Sequence, residues 1–454
     1  MSRLWSINGR FLTQPVSGVQ RYGREILLAL DRLASSGHPL ARDLELELIV
    51  PSSVEQLPKL DAIGARRLGP ANGHLWEQAV LPFGIRGGLI SLCNTGPLCV
   101  FKHIVCIHDL NTRLMPHNFS PHFRALYRLL IPALGHTAEH IATVSRFSRT
   151  QLHRYRVASP HKTSVIGNGH EHTFGWRPKH SPKTRSVAGL DTVVVFGTGS
   201  PNKNVGLLVG MAEELARVNL RLAVAGATDI RVFAAGSELQ SCENVVFLGR
   251  LTDNEIAALL IDSLCLAFPS FVEGFGLPPL EAMSLGCPVV VSDRSCLPEI
   301  CGEAALYASP TDPNAWLERF LRLRNDAELR ATLVERGLRR AALYSWSSSA
   351  ESYLQAMANS DGFISRCPTD EIRSKYSEGV GGGQPVESAA GRFGPIPDAR
   401  LQRLGIGGIL GAGDLPTPKG HSKRSTQMDL GACAGGARDR QEAIYNNNAD
   451  KHGS

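Results

Sequence analysis

Residues Leu264–Glu299 read LCLAFPSFVEGFGLPPLEAMSLGCPVVVSDRSCLPE. The apolar run Leu264–Phe268 stops at Pro269 and Ser270, the pattern of a strand buried in a parallel sheet. Glu273 follows in a turn with Gly274 and Gly276, where a backbone without Cβ atoms can pass close to a ligand. Pro278 and Pro279 suit the first turn of a helix, in which a missing N–H costs nothing. That helix is expected to carry Glu281 in its opening turn, and Pro288–Asp293 supplies the next strand. A loop beyond the carboxyl end of a parallel strand, feeding a helix N-terminus, is where open α/β sheets bind ligands. Carboxylates near a helix N-terminus also favour its dipole, and that would account for Glu281 alone. It does not account for Glu273, held in a Gly-Phe-Gly turn.

The alternation continues on both sides of this stretch. Predicted strands are Thr192–Phe196, Leu220–Ala225, Val245–Leu248 and Val289–Ser292, separated by predicted helices Val205–Ala216, Asp253–Leu260 and Pro279–Leu285. Helices Asn314–Leu323 and Glu328–Ala342 follow. Towards the N-terminus, strands are expected at Leu4–Ile7, Leu44–Val50, Leu89–Leu92, His103–Ile107, Ile141–Ser145 and Thr163–Ile166. A helix from Gly18 to about Ala34 shows an apolar face of Val19, Ile26, Leu27, Leu30 and Leu33. Strand–helix alternation at this spacing predicts an α/β protein with two doubly wound, parallel-sheet (Rossmann-like) domains facing a cleft. The expected boundaries are 1–170 for the first domain, 171–188 for a polar linker and 189–345 for the second domain. A final helix is expected over 346–358, and the tail 359–454, with stretches such as GVGGGQPVESAAGR, reads as disordered.

The totals exclude several classes. A composition that is 43% hydrophobic and 20% charged belongs to a soluble globular protein. The net charge of +6 suits phosphate-bearing small molecules or an anionic membrane surface, but no base-reading module accompanies it, so no nucleic-acid partner is expected. The ten cysteines are scattered, several within apolar runs, and none forms a Cys-x-x-Cys pair, as in a reduced cytoplasmic enzyme. MSRLWSINGRF lacks the apolar core of a secretory signal. No metal-ligand spacing is evident; His117, His122, His136, His140, His170 and His172 read as surface or loop residues, and Trp76 as a packing residue. Phe123–Leu134 reads as a basic amphipathic helix, able to lie on an anionic bilayer or against a core, with Pro132 expected to kink or end it.

Two further loops carry chemistry. Gly197–Asn204 follows a strand and opens a helix; it is not a Walker loop, yet its backbone N–H groups and Lys203 suit a phosphate. His108 ends the strand His103–Ile107, at the crevice edge of a parallel sheet.

The cassette around Glu273 and Glu281 resembles the signature of retaining, nucleotide-sugar-dependent glycosyltransferases of family 4 (GT-B type). There, two glutamates with seven residues between them bracket a Gly-Phe-Gly turn. Pro269-Ser270, Gly286, Pro288-Val289 and Pro298-Glu299 fit as well. The resemblance runs to about Met357 and implies a cleft that takes a nucleotide sugar as substrate, with no cofactor and no metal. It places Glu273 and the backbone of Gly274, Phe275, Gly276 and Leu277 against the transferred sugar, and His108 opposite them. Glu281 would bind the ribose, and Lys203 and Gly18 the diphosphate. Gly18 matches the single glycine that opens the family's first helix, here Ser17–Tyr22, with Ser17 expected to cap it. The family's loop arginine is replaced by Thr198 or Asn202, with Arg250 a candidate substitute. His74–Gln78, Asn94–Leu98 and His108–Leu110 most resemble bacterial mannosyltransferases of cell-surface polysaccharide synthesis. That implies GDP-mannose as donor, a saccharide or lipid-linked saccharide as acceptor, and a cytoplasmic protein peripheral on the inner face of the membrane. A UDP- or dTDP-sugar donor, a sugar-nucleotide epimerase and a non-catalytic partner subunit are the alternatives.

Overall fold

The computed structural model describes residues 3–197, 200–226 and 243–363. Seven parallel strands form the first sheet: β1 (Arg3–Asn8), β2 (Leu44–Pro51), β3 (Gly64–Leu68), β4 (Gly88–Ser91), β5 (His103–Cys106), β6 (His140–Thr143) and β7 (Thr163–Val165). Their order is β3-β2-β1-β4-β5-β6-β7. A second parallel sheet holds β8 (Thr192–Phe196), β9 (Arg221–Ala225), β10 (Val245–Gly249), β11 (Cys265–Phe268), β12 (Val289–Ser292) and β13 (Ala305–Ala308) in the order β10-β9-β8-β11-β12-β13. Both orders reverse once, between β1 and β4 and between β8 and β11, as in doubly wound sheets. Central strands such as Val193–Val195 and Val289–Val291 are buried throughout, which is why they read as uninterrupted apolar runs.

Two strands lie outside the sequence expectation. β3, GARRL, is an edge strand paired on one side only, so it needs no apolar face. β13, ALYA, closes the other sheet with a run too short to stand out. The helix expected over Val205–Ala216 is two pieces, Val205–Val209 and Ala212–Arg217, broken at Gly210, a poor helix former. Conversely, Pro132 does not end its helix, which runs from Pro121 to Thr137. The carbonyl of Arg128, left without its N–H donor, lies 3.4 Å from the Arg113 guanidinium.

The opening helix (Gly18–Ser35) packs against the crossing helix (Trp346–Ser360), with the Tyr22 and Tyr353 hydroxyls 3.0 Å apart. Ser17 stands at the N-cap position, but its hydroxyl binds the Gln20 side chain instead of a backbone N–H. Beyond Ser360, Asp361 accepts bonds from Arg3, Trp5 and Lys102 at 2.8, 3.0 and 2.5 Å, so ordered packing reaches past residue 358. The rest of the tail, from 364, lies outside the described residues. Between the sheets, the polar segment contains two short helical turns, Glu171–Gly175 and Pro182–Arg185. Among the described residues no helix is long and apolar enough to cross a membrane.

Candidate active site

Where the strand order reverses between β8 and β11, the loops leaving these neighbours part and open a crevice. The β8 loop brings Lys203 on a single helical turn, Pro201–Lys203; Thr198 and Gly199 lie outside the described residues. Asn204 behind it takes a left-handed conformation, and its amide donates to the Pro269 and Pro310 carbonyls at 3.2 and 2.8 Å. This staples the loop to the one leaving β11. Lys203 Nζ then stands 2.7 Å from Glu273 Oε1, over the Phe268 ring. Asn202, at one of the places where an arginine was expected, donates to the Val272 carbonyl at 3.3 Å.

Glu273 is 8% exposed, and its N–H donates to Ser295 Oγ. Gly274 accepts bonds at its carbonyl from the Ser145 and Ser148 hydroxyls of the first sheet's side, at 2.6 and 3.2 Å. A Cβ on Gly274 would sit 2.6 Å from the His108 carbonyl oxygen, so glycine is required for this approach. Gly276 has φ 90°, and a Cβ there would meet Leu297. The Phe275 ring packs against Gly167 and edge-on to Tyr344, which leaves its backbone for the crevice.

The following helix starts at Leu277, so Glu281 falls in its second turn and not its first. The dipole does not account for this buried carboxylate. Side chains do. Glu281 Oε1 lies 2.8 Å from His172 Nε2 and 3.7 Å from Arg21 Nε.

On the opposite wall, His108 follows β5 and is buried. Its Nε2 lies 2.8 Å from the Leu92 carbonyl, which can only accept, so the ring proton sits on Nε2 and Nδ1 remains an acceptor. Burial holds its pKa down at about 4, so the ring is neutral near pH 7. Burial pushes the neighbouring Asp109 carboxyl up to about 6; the Asn111 amide opposes this and the Glu273 charge adds to it. Gly18 opens its helix on the same cleft, with nothing within 4 Å of where a Cβ would point. One turn on, Arg21 makes a two-pronged pair with Asp253 at 2.8 and 3.1 Å, joining the two walls.

The cleft, of about 540 Å³, is thus lined by every expected site residue: Gly18, His108, Lys203, Glu273, Gly274, Phe275, Gly276, Leu277 and Glu281. Arg21, Asp109, Trp176 and Asp253 also line it and had been given no role from sequence. Arg250 is exposed and absent from this lining, so Arg21 is the second cation here. Of the histidines read as surface or loop residues, His140 needs correction, since it lies in a strand; His170 and His172 lie in the loop and short turn after β7, but not at the surface. His172 is buried against Glu281 and Trp346, His170 is buried on the Tyr344 carbonyl, and His140 lies in β6 against Ser164. Periodicity gave no signal, because each meets its partner on a chain segment away from it in sequence.

Residues 177–340, which carry Lys203, Glu273 and Glu281, match the family model described as Glycosyl transferases group 1. This stretch is a group 1 glycosyl transferase domain. Among curated relatives, an O-antigen chain mannosyltransferase of Salmonella typhimurium is 25% identical over 53% of this chain and 65% of its own length. O-antigen chain mannosyltransferase B of Escherichia coli is 39% identical over 24% of this chain and 29% of its own length. The chain therefore spans less than two thirds of the length of either relative. Among solved structures, sucrose-phosphate synthase from Thermosynechococcus elongatus superposes with a TM-score of 0.59 at 19% identity, covering 79% of this chain and 98% of that one. WaaG, a glycosyltransferase involved in lipopolysaccharide biosynthesis, gives 0.55 at 15%, covering 78% and 99%. At these identities the likeness is one of fold, and the fold is GT-B.

Proposed function

We propose that the protein is a retaining glycosyltransferase that moves mannose from GDP-mannose onto a lipid-linked saccharide during cell-surface polysaccharide synthesis. The observation that carries this is the pairing of Lys203 with Glu273 at 2.7 Å, inside the group 1 domain and facing His108 across the cleft. When a hexose leaves a nucleoside diphosphate, negative charge gathers on the leaving phosphate and positive charge on the sugar ring. A fixed cation answers the first and a fixed carboxylate the second, and partial burial strengthens both. Lys203 takes the diphosphate; Glu273 and the backbone of Gly274–Leu277 hold the sugar hydroxyls. Neutral His108 offers Nδ1 as an acceptor from the other wall. Glu281 binds the ribose, and Gly18 lets the opening helix approach the phosphates without a side chain between. The mannosyl reading leans on the two O-antigen mannosyltransferases, which match over only part of their lengths.

The helix Pro121–Thr137 supports a place on the inner membrane face. Phe123, Leu126 and Leu129 are exposed along it, beside Arg124 and Arg128. Co-sedimentation with anionic vesicles tests this; binding indifferent to anionic lipid overturns it. The reaction is tested with a panel of GDP-mannose, UDP-hexoses and dTDP-hexoses on lipid-linked saccharide, reading the product anomer by NMR. Transfer from GDP-mannose with its configuration kept is expected. Turnover with a UDP-sugar alone overturns the donor, an inverted product overturns retention, and a protein that binds no nucleoside diphosphate overturns the enzyme.

A further inference from the structure

His172 lies in the segment between the two sheets and is not itself among the residues that line the cleft, yet its side chain is only 3% exposed. Trp346, at the start of the crossing helix, points its indole N–H at His172 Nδ1, 3.0 Å away. An indole nitrogen only donates, so Nδ1 accepts and the ring proton sits on Nε2. Nε2 lies 2.8 Å from Glu281 Oε1 and donates to it. Arg21 approaches the same oxygen at 3.7 Å, and among the described residues no hydrogen bond reaches Oε2.

The segment carrying His172 is itself clamped. The Glu171 carboxylate accepts from Ser345 Oγ at 2.6 Å, and from the backbone N–H groups of Trp346 and His170 at 2.9 and 3.0 Å. The N-terminus of the crossing helix therefore holds the imidazole through Trp346 and the residue before it through Glu171, and the ring passes that fixed position on to one oxygen of Glu281.

We infer that His172 is a positioning residue: it pins Oε1 of Glu281 so that Oε2 is presented to the ribose diol of a nucleoside diphosphate. The inference rests on the donor reading above and adds the residue that orients its ribose-binding carboxylate. A carboxylate already held in one rotamer loses less freedom when it accepts the diol, so the benefit shows in affinity for ligands that carry both hydroxyls.

Calorimetry with GDP and UDP, with their 2′,3′-dideoxy forms and with inorganic pyrophosphate separates the outcomes. The wild type should prefer the diol-bearing nucleotide over its dideoxy form by about 10-fold. His172→Leu should lose about that factor for the nucleotide and no longer distinguish the two forms, while its affinity for pyrophosphate stays unchanged. His172→Gln, whose amide nitrogen reaches the place of Nε2, should recover to within about 3-fold. If His172→Leu does not fold, His172→Asn, whose shorter amide stops near the place of Nδ1, takes its part. Full diol preference retained in the leucine or asparagine variant overturns the inference. So does a loss of pyrophosphate binding in step with the nucleotide, which marks a merely structural role. A wild type that binds neither nucleotide overturns the donor reading, and with it the inference.

Discussion

Lys203 Nζ and Glu273 Oε1, contributed by the loops of adjacent strands β8 and β11, stand 2.7 Å apart and neutralise each other at the mouth of the cleft. The cation assigned to the leaving phosphate and the carboxylate assigned to the sugar are thus coupled. Whatever draws Lys203 towards a diphosphate also releases Glu273.

Glu273→Gln should therefore bind a nucleoside diphosphate more tightly than the wild type, by about 2- to 5-fold, because the competing negative charge is gone. Transfer should fall by about 100-fold or more, since the carboxylate that favours a positive sugar is lost. Lys203→Ala should weaken nucleotide binding by about 10-fold. Calorimetry and initial rates read both; weaker binding by Glu273→Gln would show that the pair is not a competition.

Gly274→Ala places a methyl group 2.6 Å from the His108 carbonyl oxygen, at the contact between the β11 loop and the opposite wall. The walls must part for it. The expected result is a fall of about 100-fold in transfer, as positioning across the cleft is lost. Thermal stability should drop by about 1–3 kcal/mol. Unchanged turnover would mean that the loop has slack the packing does not suggest.

Glu299 accepts from the backbone N–H groups of Arg146 and Phe147 at 2.8 and 3.0 Å, and so caps the helix Arg146–Arg154 from the other side of the cleft. Glu299→Ala should cost about 1 kcal/mol in urea unfolding, and Glu299→Gln about half of that. Equal stability of all three forms would remove Glu299 from the tie between the walls.

Burial lowers the pKa of His108 and His140 to about 4 and of His103 to about 3. The unfolded chain takes up these protons first. Stability is then full above about pH 6.5, the ordinary imidazole value, and is lost as pH falls towards 4. Asp109 has the opposite sign. Its folded pKa is raised to about 6 from 3.8, so its contribution is present below 3.8 and is lost as pH rises through 6. Asp109→Asn should stabilise the protein by up to about 2 kcal/mol at pH 8 and by nothing at pH 4. Melting curves at the two values decide; equal gains at both would place Asp109 in water.

Much of the site is local in origin and was legible residue by residue. The glycines around Glu273, the prolines that begin the Leu277–Ser284 helix and the apolar run of β11 all act within a few positions of one another. A short-range pattern can therefore announce them. β3 and β13 escaped because an edge strand needs neither alternation nor length. Of the two outcomes expected at Pro132, the helix does not end there, and the free carbonyl of Arg128 meets Arg113 on a neighbouring helix. Arg250 is absent from the lining of the cleft, whereas Arg21 lines it, and its pairing with Asp253 spans 232 residues.

By itself, the sequence determined the alternation that makes two parallel sheets, and the cassette that sets Glu273 and Glu281 beside a glycine turn. Those follow from backbone propensity and from burial along single strands and helices. Only the tertiary structure decided what each carboxylate faces: Lys203 for Glu273, and His172 with Arg21 for Glu281. The physical reason is that a charge is fixed by the partner it meets on burial. Here every such partner arrives from a different strand, helix or wall of the cleft.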